Sequence, residues 1–69
     1  MLDPSMARIR DLYMRSSLTL EEIGLRMGYE ADTARKAAWR FLSRTEDPRI
    51  SMLRRFSRAV GVTMEDLLK

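Results

Sequence analysis

Residues 18–29 read Leu18-Thr19-Leu20-Glu21-Glu22-Ile23-Gly24-Leu25-Arg26-Met27-Gly28-Tyr29, and the helix punctuation in this stretch decides the fold. Thr19 and Glu22 stand at capping-box spacing: the hydroxyl accepts from the third helical N–H while the carboxylate reaches back to the cap residue's own N–H. A helix therefore starts at Leu20. Gly28 is the natural left-handed residue just past a helix end, so this helix runs to Met27 and is only about two turns long. So short a helix is unstable alone and must pack through Ile23 and Met27.

Working outward, Ala31 to Arg44 contains neither glycine nor proline and is rich in alanine, arginine and leucine, which predicts a third helix over those residues. At about 100° per residue, Ala34, Ala37, Ala38 and Phe41 form its buried stripe, with Asp32, Lys36 and Ser43 opposite and Arg40 and Arg44 continuing the Lys36 row. Trp39 falls nearer the polar side. Because a partly buried indole at a rim is ordinary in a small domain, it is expected to pack rather than to recognise.

Upstream, Asp3 followed by Pro4 predicts a cap and a first helix from Pro4 to about Arg15, stopped by Ser16-Ser17 and buried through Met6, Ile9, Leu12 and Tyr13. Downstream, a polar loop precedes Pro48. Ser51 is the expected N-cap of a fourth helix reaching Val60, closed by Gly61, with Leu53, Phe56 and Val60 inward and Arg54, Arg55 and Arg58 off that face. Thr63 and Asp66 predict a cap for a short fifth helix, Met64 to Leu68. Strand signals are absent, and the chain reads as all-α, one domain spanning residues 1–69.

Sixty-nine residues support one lean core, since a domain of this size hides only about 60% of its unfolded surface. Hydrophobic residues at 45% and charged ones at 33% fit a soluble globular chain. No apolar run approaches the roughly 20 residues of a membrane span or the about 7–15 of a signal-peptide core, so the expected location is cytoplasmic. Zero cysteine and zero histidine remove thiolate chemistry, the commonest general base and the commonest metal ligands. No two of the ten carboxylates lie at the spacing that pairs them on one helix face. An enzyme is the least expected class, and neither a cofactor nor a metal is expected. So small a core also leaves little room for an effector pocket of even about 300 Å³, and no small-molecule effector is expected.

The formal charge of +3 is unevenly spread. Residues 1–25 carry three basic and four acidic groups, residues 26–58 nine and four, and residues 59–69 one and two. A basic block inside an otherwise near-neutral chain suggests a polyanion, nucleic acid before anionic membrane, although a solvated helix surface gives the same composition.

The segment Leu18 to Tyr29 resembles the opening helix, turn and second-helix entry of the Cro and phage-repressor (XRE) helix-turn-helix family. Pro48-Arg49-Ile50-Ser51-Met52-Leu53, then Phe56, Ala59-Val60-Gly61-Val62-Thr63 and Asp66-Leu67-Leu68, resembles that family's fourth helix and its exit into a fifth. The resemblance implies a compact five-helix lambda-repressor-like domain with the motif over about residues 19–44. The sequence departs from the family where Gly24 replaces the usual alanine, Glu30 a serine or threonine, Ala34 a bulkier aliphatic and Leu20 a glutamine. The interval from Gly28 to Pro48 is longer than the family's by about one turn, which the resemblance assigns to the C-terminal end of helix three, with Trp39 and Phe41 as packing for it.

The resemblance further implies that helix three lies in the major groove, with Ala31, Asp32, Arg35 and Lys36 touching base edges. Arg35 or Lys36 suits guanine O6 and N7, Asp32 a cytosine amino group, and the Ala31 methyl a thymine methyl. An ordinary intrahelical ion pair of Asp32 with Arg35 or Lys36 is the competing reading. Phosphate contacts fall to Arg26, Thr33, Arg40, Arg44 and Arg49, with backbone N–H groups at the start of helix two. The implied partner is double-stranded DNA, bound by a homodimer whose interface is sought at Met64, Leu67 and Leu68. The function implied is a small prokaryotic, phage or plasmid transcriptional regulator, a repressor in kind. A protein-interaction module on the same fold, such as an antitoxin or adaptor, is the alternative.

Overall fold

Five helices follow one another through residues 6–68, the part of the chain that this computed structural model describes: α1 (Met6–Ser16), α2 (Leu20–Arg26), α3 (Ala31–Arg44), α4 (Ile50–Val60) and α5 (Met64–Leu67). No strand occurs among the described residues. The domain is all-α as the sequence predicts, with α3 bounded as expected at both ends and α2 and α5 each one residue shorter. The Asp3-Pro4 start expected for the first helix lies outside the described residues.

Local chemistry accounts for most of the boundaries. Both halves of the capping box form, Glu22 N–H donating to Thr19 Oγ1 at 3.1 Å and Thr19 N–H to Glu22 Oε1 at 2.9 Å. The α1–α2 turn closes where Ser17 takes φ of 62° and Ser16 Oγ accepts from Leu18 N–H while donating to the Tyr13 carbonyl. Gly28 and Gly61 adopt φ of 102° and 77°, the left-handed region that suits glycine after a helix end. Behind Gly61, the N–H groups of Gly61 and Val62 both return to the Ser57 carbonyl. Thr63 caps α5 by accepting from Asp66 N–H at 3.0 Å.

The start of α4 corrects the sequence reading. Arg49, not Ser51, occupies the cap position, and Ile50 opens the helix. Starting earlier adds a backbone hydrogen bond from Leu53 N–H to the Arg49 carbonyl at 3.0 Å, which is comparable in worth to the cap preference of about 1 kcal/mol that it replaces.

The core gathers residues from all five helices: Met6 and Ile9 of α1, Ile23 of α2 with Met27 just beyond it, Ala38, Phe41 and Leu42 of α3, Leu53, Phe56 and Ala59 of α4, and Leu67 of α5. At its centre the Phe41 and Phe56 rings meet with centroids 5.6 Å apart and planes tilted by 44°, a favourable aromatic geometry. Ser57 is the polar residue buried with them, and its hydroxyl is satisfied by the Arg54 carbonyl at 2.8 Å. Val60, expected inward, is only half-buried, and Ser57 and Ala59 take that side of α4.

The most extensive helix contact is between α2 and α3, and Gly24 makes it possible. A Cβ on Gly24 would come within 2.7 Å of the Ala34 Cα and closer still to the Ala34 carbonyl. Ala34 is fully buried. Gly24 and Ala34 are thus opposite sides of one close contact: the small residues let the two backbones touch.

Three arginines fasten the helices to one another. Arg10 Nε of α1 donates to the Leu42 carbonyl at 2.7 Å, Arg26 of α2 to the Ala59 carbonyl at 3.3 Å, and Arg8 of α1 to the Asp66 carbonyl at 3.2 Å. The Leu42 and Ala59 carbonyls lie in the last turns of α3 and α4, where the helix leaves carbonyls without intrahelical partners and the helix dipole favours a cation, and the Asp66 carbonyl lies in α5.

Gly24→Ala is expected to cost about 1–3 kcal/mol, measured by denaturant unfolding. Adding Ala34→Gly should not rescue it, because the clash is with backbone; an unchanged midpoint in the single variant would show that α2 and α3 part freely. The capping box adds a pH dependence. Accepting the Thr19 backbone N–H, and secondarily the Thr19 side-chain hydrogen bond, holds Glu22 below its ordinary value of 4.5. A group so depressed stabilises the fold above its unfolded value, and that contribution is lost as pH falls through the folded one. Relative to Glu22→Gln, the wild-type melting temperature should therefore fall on acidification from neutral to below 4.5, whereas parallel curves would exclude the effect.

Candidate nucleic-acid interface

With Ala34, Ala38, Phe41 and Leu42 turned into the core, the opposite side of α3 is committed to solvent. Ala31, Asp32, Arg35 and Lys36 are all exposed there, in the first two turns, as expected. Asp32, Arg35 and Lys36 border one surface hollow of about 360 Å³ with Leu20 and Trp39. The intrahelical ion pair does not form: Asp32, Arg35 and Lys36 have no partner among the described residues, unlike Arg15, which meets Asp11 at 3.0 Å. This face therefore offers two cationic donors and one carboxylate acceptor with their hydrogen-bonding capacity unspent.

The residues nominated for phosphate separate into two sets. Arg40, Arg44 and Arg49 are exposed, and they form a continuous edge. Arg40 and Arg49 line a hollow of about 420 Å³ between α3 and the start of α4, floored by Phe41 and Met52, while Arg40 and Arg44 flank Trp39. Asp47 also lines the first hollow, which moderates its charge. Arg26 and Thr33 are exposed but already engaged, Arg26 with the Ala59 carbonyl and Thr33 Oγ1 with the Glu30 carbonyl at 3.3 Å. The start of α2 is a poor phosphate site. Thr19 takes the Glu22 N–H, and Glu21 and Glu22 place two carboxylates in the first turn.

Of the residues proposed for a dimer surface, Leu67 is corrected: it is fully buried and closes the monomer's own core. Met64 packs against the core as a half-buried residue, and Leu68 is 37% exposed. Val60 and Val62, half-buried just before α5, add to the apolar surface at this end.

Three features escaped the sequence reading. Trp39 is 45% exposed on the outer side of α3, where its contact with the last turn is the Arg44 guanidinium 5.4 Å from the ring centroid, whereas Phe41 is core. Its spacing from Asp32 and Lys36 places it in their row, so the signal was present. Leu42, one turn beyond Ala38, was equally visible in the spacing. The roles of Arg8 and Arg10 had no local signal, because their acceptors lie in α5 and α3. The surface also has more hollow volume than expected, including one of about 570 Å³ beside Leu18, Glu21 and Arg35, although these hollows open onto solvent.

Among the described residues there is no cluster of carboxylates suited to a metal ion, and no helix is long and apolar enough to cross a membrane. No protein-family model matches the chain, and no curated protein matches it.

Proposed function

We propose that the chain is a sequence-specific double-stranded DNA-binding transcriptional regulator, a repressor in kind, that reads the major groove with α3 as a homodimer. The observation that carries this reading is the exposed row of Asp32, Arg35 and Lys36, none of them partnered among the described residues, on a helix whose opposite side is fixed in the core. Leaving two cations and a carboxylate unspent on one helix face suits a partner that supplies both acceptors and donors. The major groove does so: guanine O6 and N7 accept, and the cytosine amino group donates.

The dimensions are compatible. An α-helix is about 10–12 Å across with its side chains, and the groove is about 12 Å wide. In this reading Arg35 and Lys36 address guanine, Asp32 a cytosine amino group, and Ala31 a thymine methyl. Arg40, Arg44 and Arg49 hold phosphates along the edge, while Arg26 serves the fold. Leu68 and Met64 contribute to the contact between protomers, which spaces two α3 helices about one DNA turn apart. The cellular location follows from the partner, the cytoplasm of a prokaryotic host.

Lys36→Ala should weaken binding to a preferred duplex by about 1–3 kcal/mol and relax discrimination at one base position while leaving the melting temperature unchanged. Three phosphates per protomer, six per dimer, give an expected slope of log affinity on log salt near −5. Fluorescence anisotropy of a labelled duplex over a salt series reads both. Equal loss on all sequences for Lys36→Ala would reduce α3 to backbone contact, and unchanged binding would take it out of the groove.

A further inference from the structure

Trp39 stands on the outer side of α3 and contributes nothing to the core. Asp32, Arg35, Lys36 and Trp39 recur at i, i+3, i+4 and i+7, which is one stripe of a helix. All four border the same hollow, together with Leu20. The indole is also a shared wall, with Tyr13, Met14 and Leu20 bordering a largely apolar hollow beyond it and Arg40 and Arg44 on another side. It is therefore a ridge rather than a floor.

The ridge is held in place. The Arg44 guanidinium carbon lies 5.4 Å from the indole centroid, a cation–π distance. A side chain fixed before binding has less rotamer freedom to lose when it binds.

From Lys36 to Trp39 the helix advances about 4.5 Å, against about 3.4 Å between successive base pairs along the duplex. A helix lying along the groove with Lys36 over one base pair carries Trp39 past it. Asp32, Arg35 and Lys36 present polar groups, whereas the indole presents a large apolar surface. The apolar group that a base pair displays in the major groove is the thymine C5 methyl. We infer that Trp39 is a specificity-determining residue of the α3 face that packs against a thymine methyl beyond the base pair addressed by Lys36. This inference rests on the DNA-binding reading and adds a specific base to it.

The test uses the full chain and a duplex that the wild type binds tightly, with each thymine replaced in turn by deoxyuridine, which lacks only the methyl. One position per half-site should weaken wild-type binding about fourfold, the value of one buried methyl-sized group. Trp39→Ala should bind the parent duplex about tenfold more weakly and lose the thymine preference at that position. Trp39→Phe, which keeps an apolar ring, should retain part of both. Trp39 is the only tryptophan in the chain, so its emission reports on this contact directly and should become shielded from acrylamide when the duplex is added.

If deoxyuridine is neutral at every position while Lys36→Ala still weakens binding, the role of Trp39 is overturned and the DNA reading stands. If no duplex is bound, both fall. Shielding of Trp39 that follows protein concentration and ignores DNA would instead make the ridge a contact between copies, and would likewise overturn the inference.

Discussion

Where α2 meets α3, the backbone of Gly24 lies against that of Ala34 with no space for a Cβ between them. This approach fixes the separation of the two helices and, with the turn at Gly28, the direction in which α3 leaves α2. The buried row Ala34, Ala38, Phe41 and Leu42 follows from it, and the outer row from Asp32 to Trp39 is what remains exposed. The glycine costs about 1 kcal/mol of helix propensity. The capping box at Thr19 and Glu22 and the apolar contacts of Ile23 and Met27 offset that cost within a helix too short to stand alone.

The basic residues divide by what they do. Arg8, Arg10 and Arg26 each donate to a carbonyl near the end of another helix, and Arg15 pairs with Asp11. Their charges are committed to the folded chain. Arg35, Lys36, Arg40 and Arg49 have no such partners among the described residues, nor do Arg54, Arg55 and Arg58 farther along α4, and Arg44 rests on Trp39. The uncommitted cations of α3 and of the α4 entry thus form two sets that meet at Trp39: Arg35 and Lys36 with the carboxylate of Asp32 on one side, and Arg40 and Arg44, with Arg49 beyond Arg40, on the other. Net charge alone expresses none of this partition, because a tethered guanidinium and a free one count equally.

Features set within one turn of helix were legible in the sequence. Thr19 with Glu22, Gly28, Gly61 and Thr63 punctuate helices through bonds to neighbours three to five residues away, so their roles follow from spacing. The exposure of Ala31, Asp32, Arg35 and Lys36 was legible for the same reason, as the complement of a buried stripe, whereas their nomination as base readers came from the resemblance alone. Long-range effects were not. Arg26 was read as a free cation because its acceptor, Ala59, lies 33 residues away, and Leu67 as available surface because the pocket that swallows it belongs to other helices. Ser51 was a sound local cap that lost to an extra backbone bond at Arg49. Trp39 was legible by position, since its spacing sets it nearer the polar side of α3, and it stands there partly exposed while Phe41 and Phe56 fill the core.

The central claim is that the outer row of α3 reads base sequence, and selection of duplexes from a random library by the purified chain at near-physiological salt tests it most directly. The expected result is enrichment of an inverted repeat with half-site centres about ten base pairs apart, its defined positions requiring Asp32, Arg35 and Lys36. Retention of DNA with no enriched sequence would contradict the claim by reducing the interface to phosphate contact, and no retention would transfer the basic edge to a different partner.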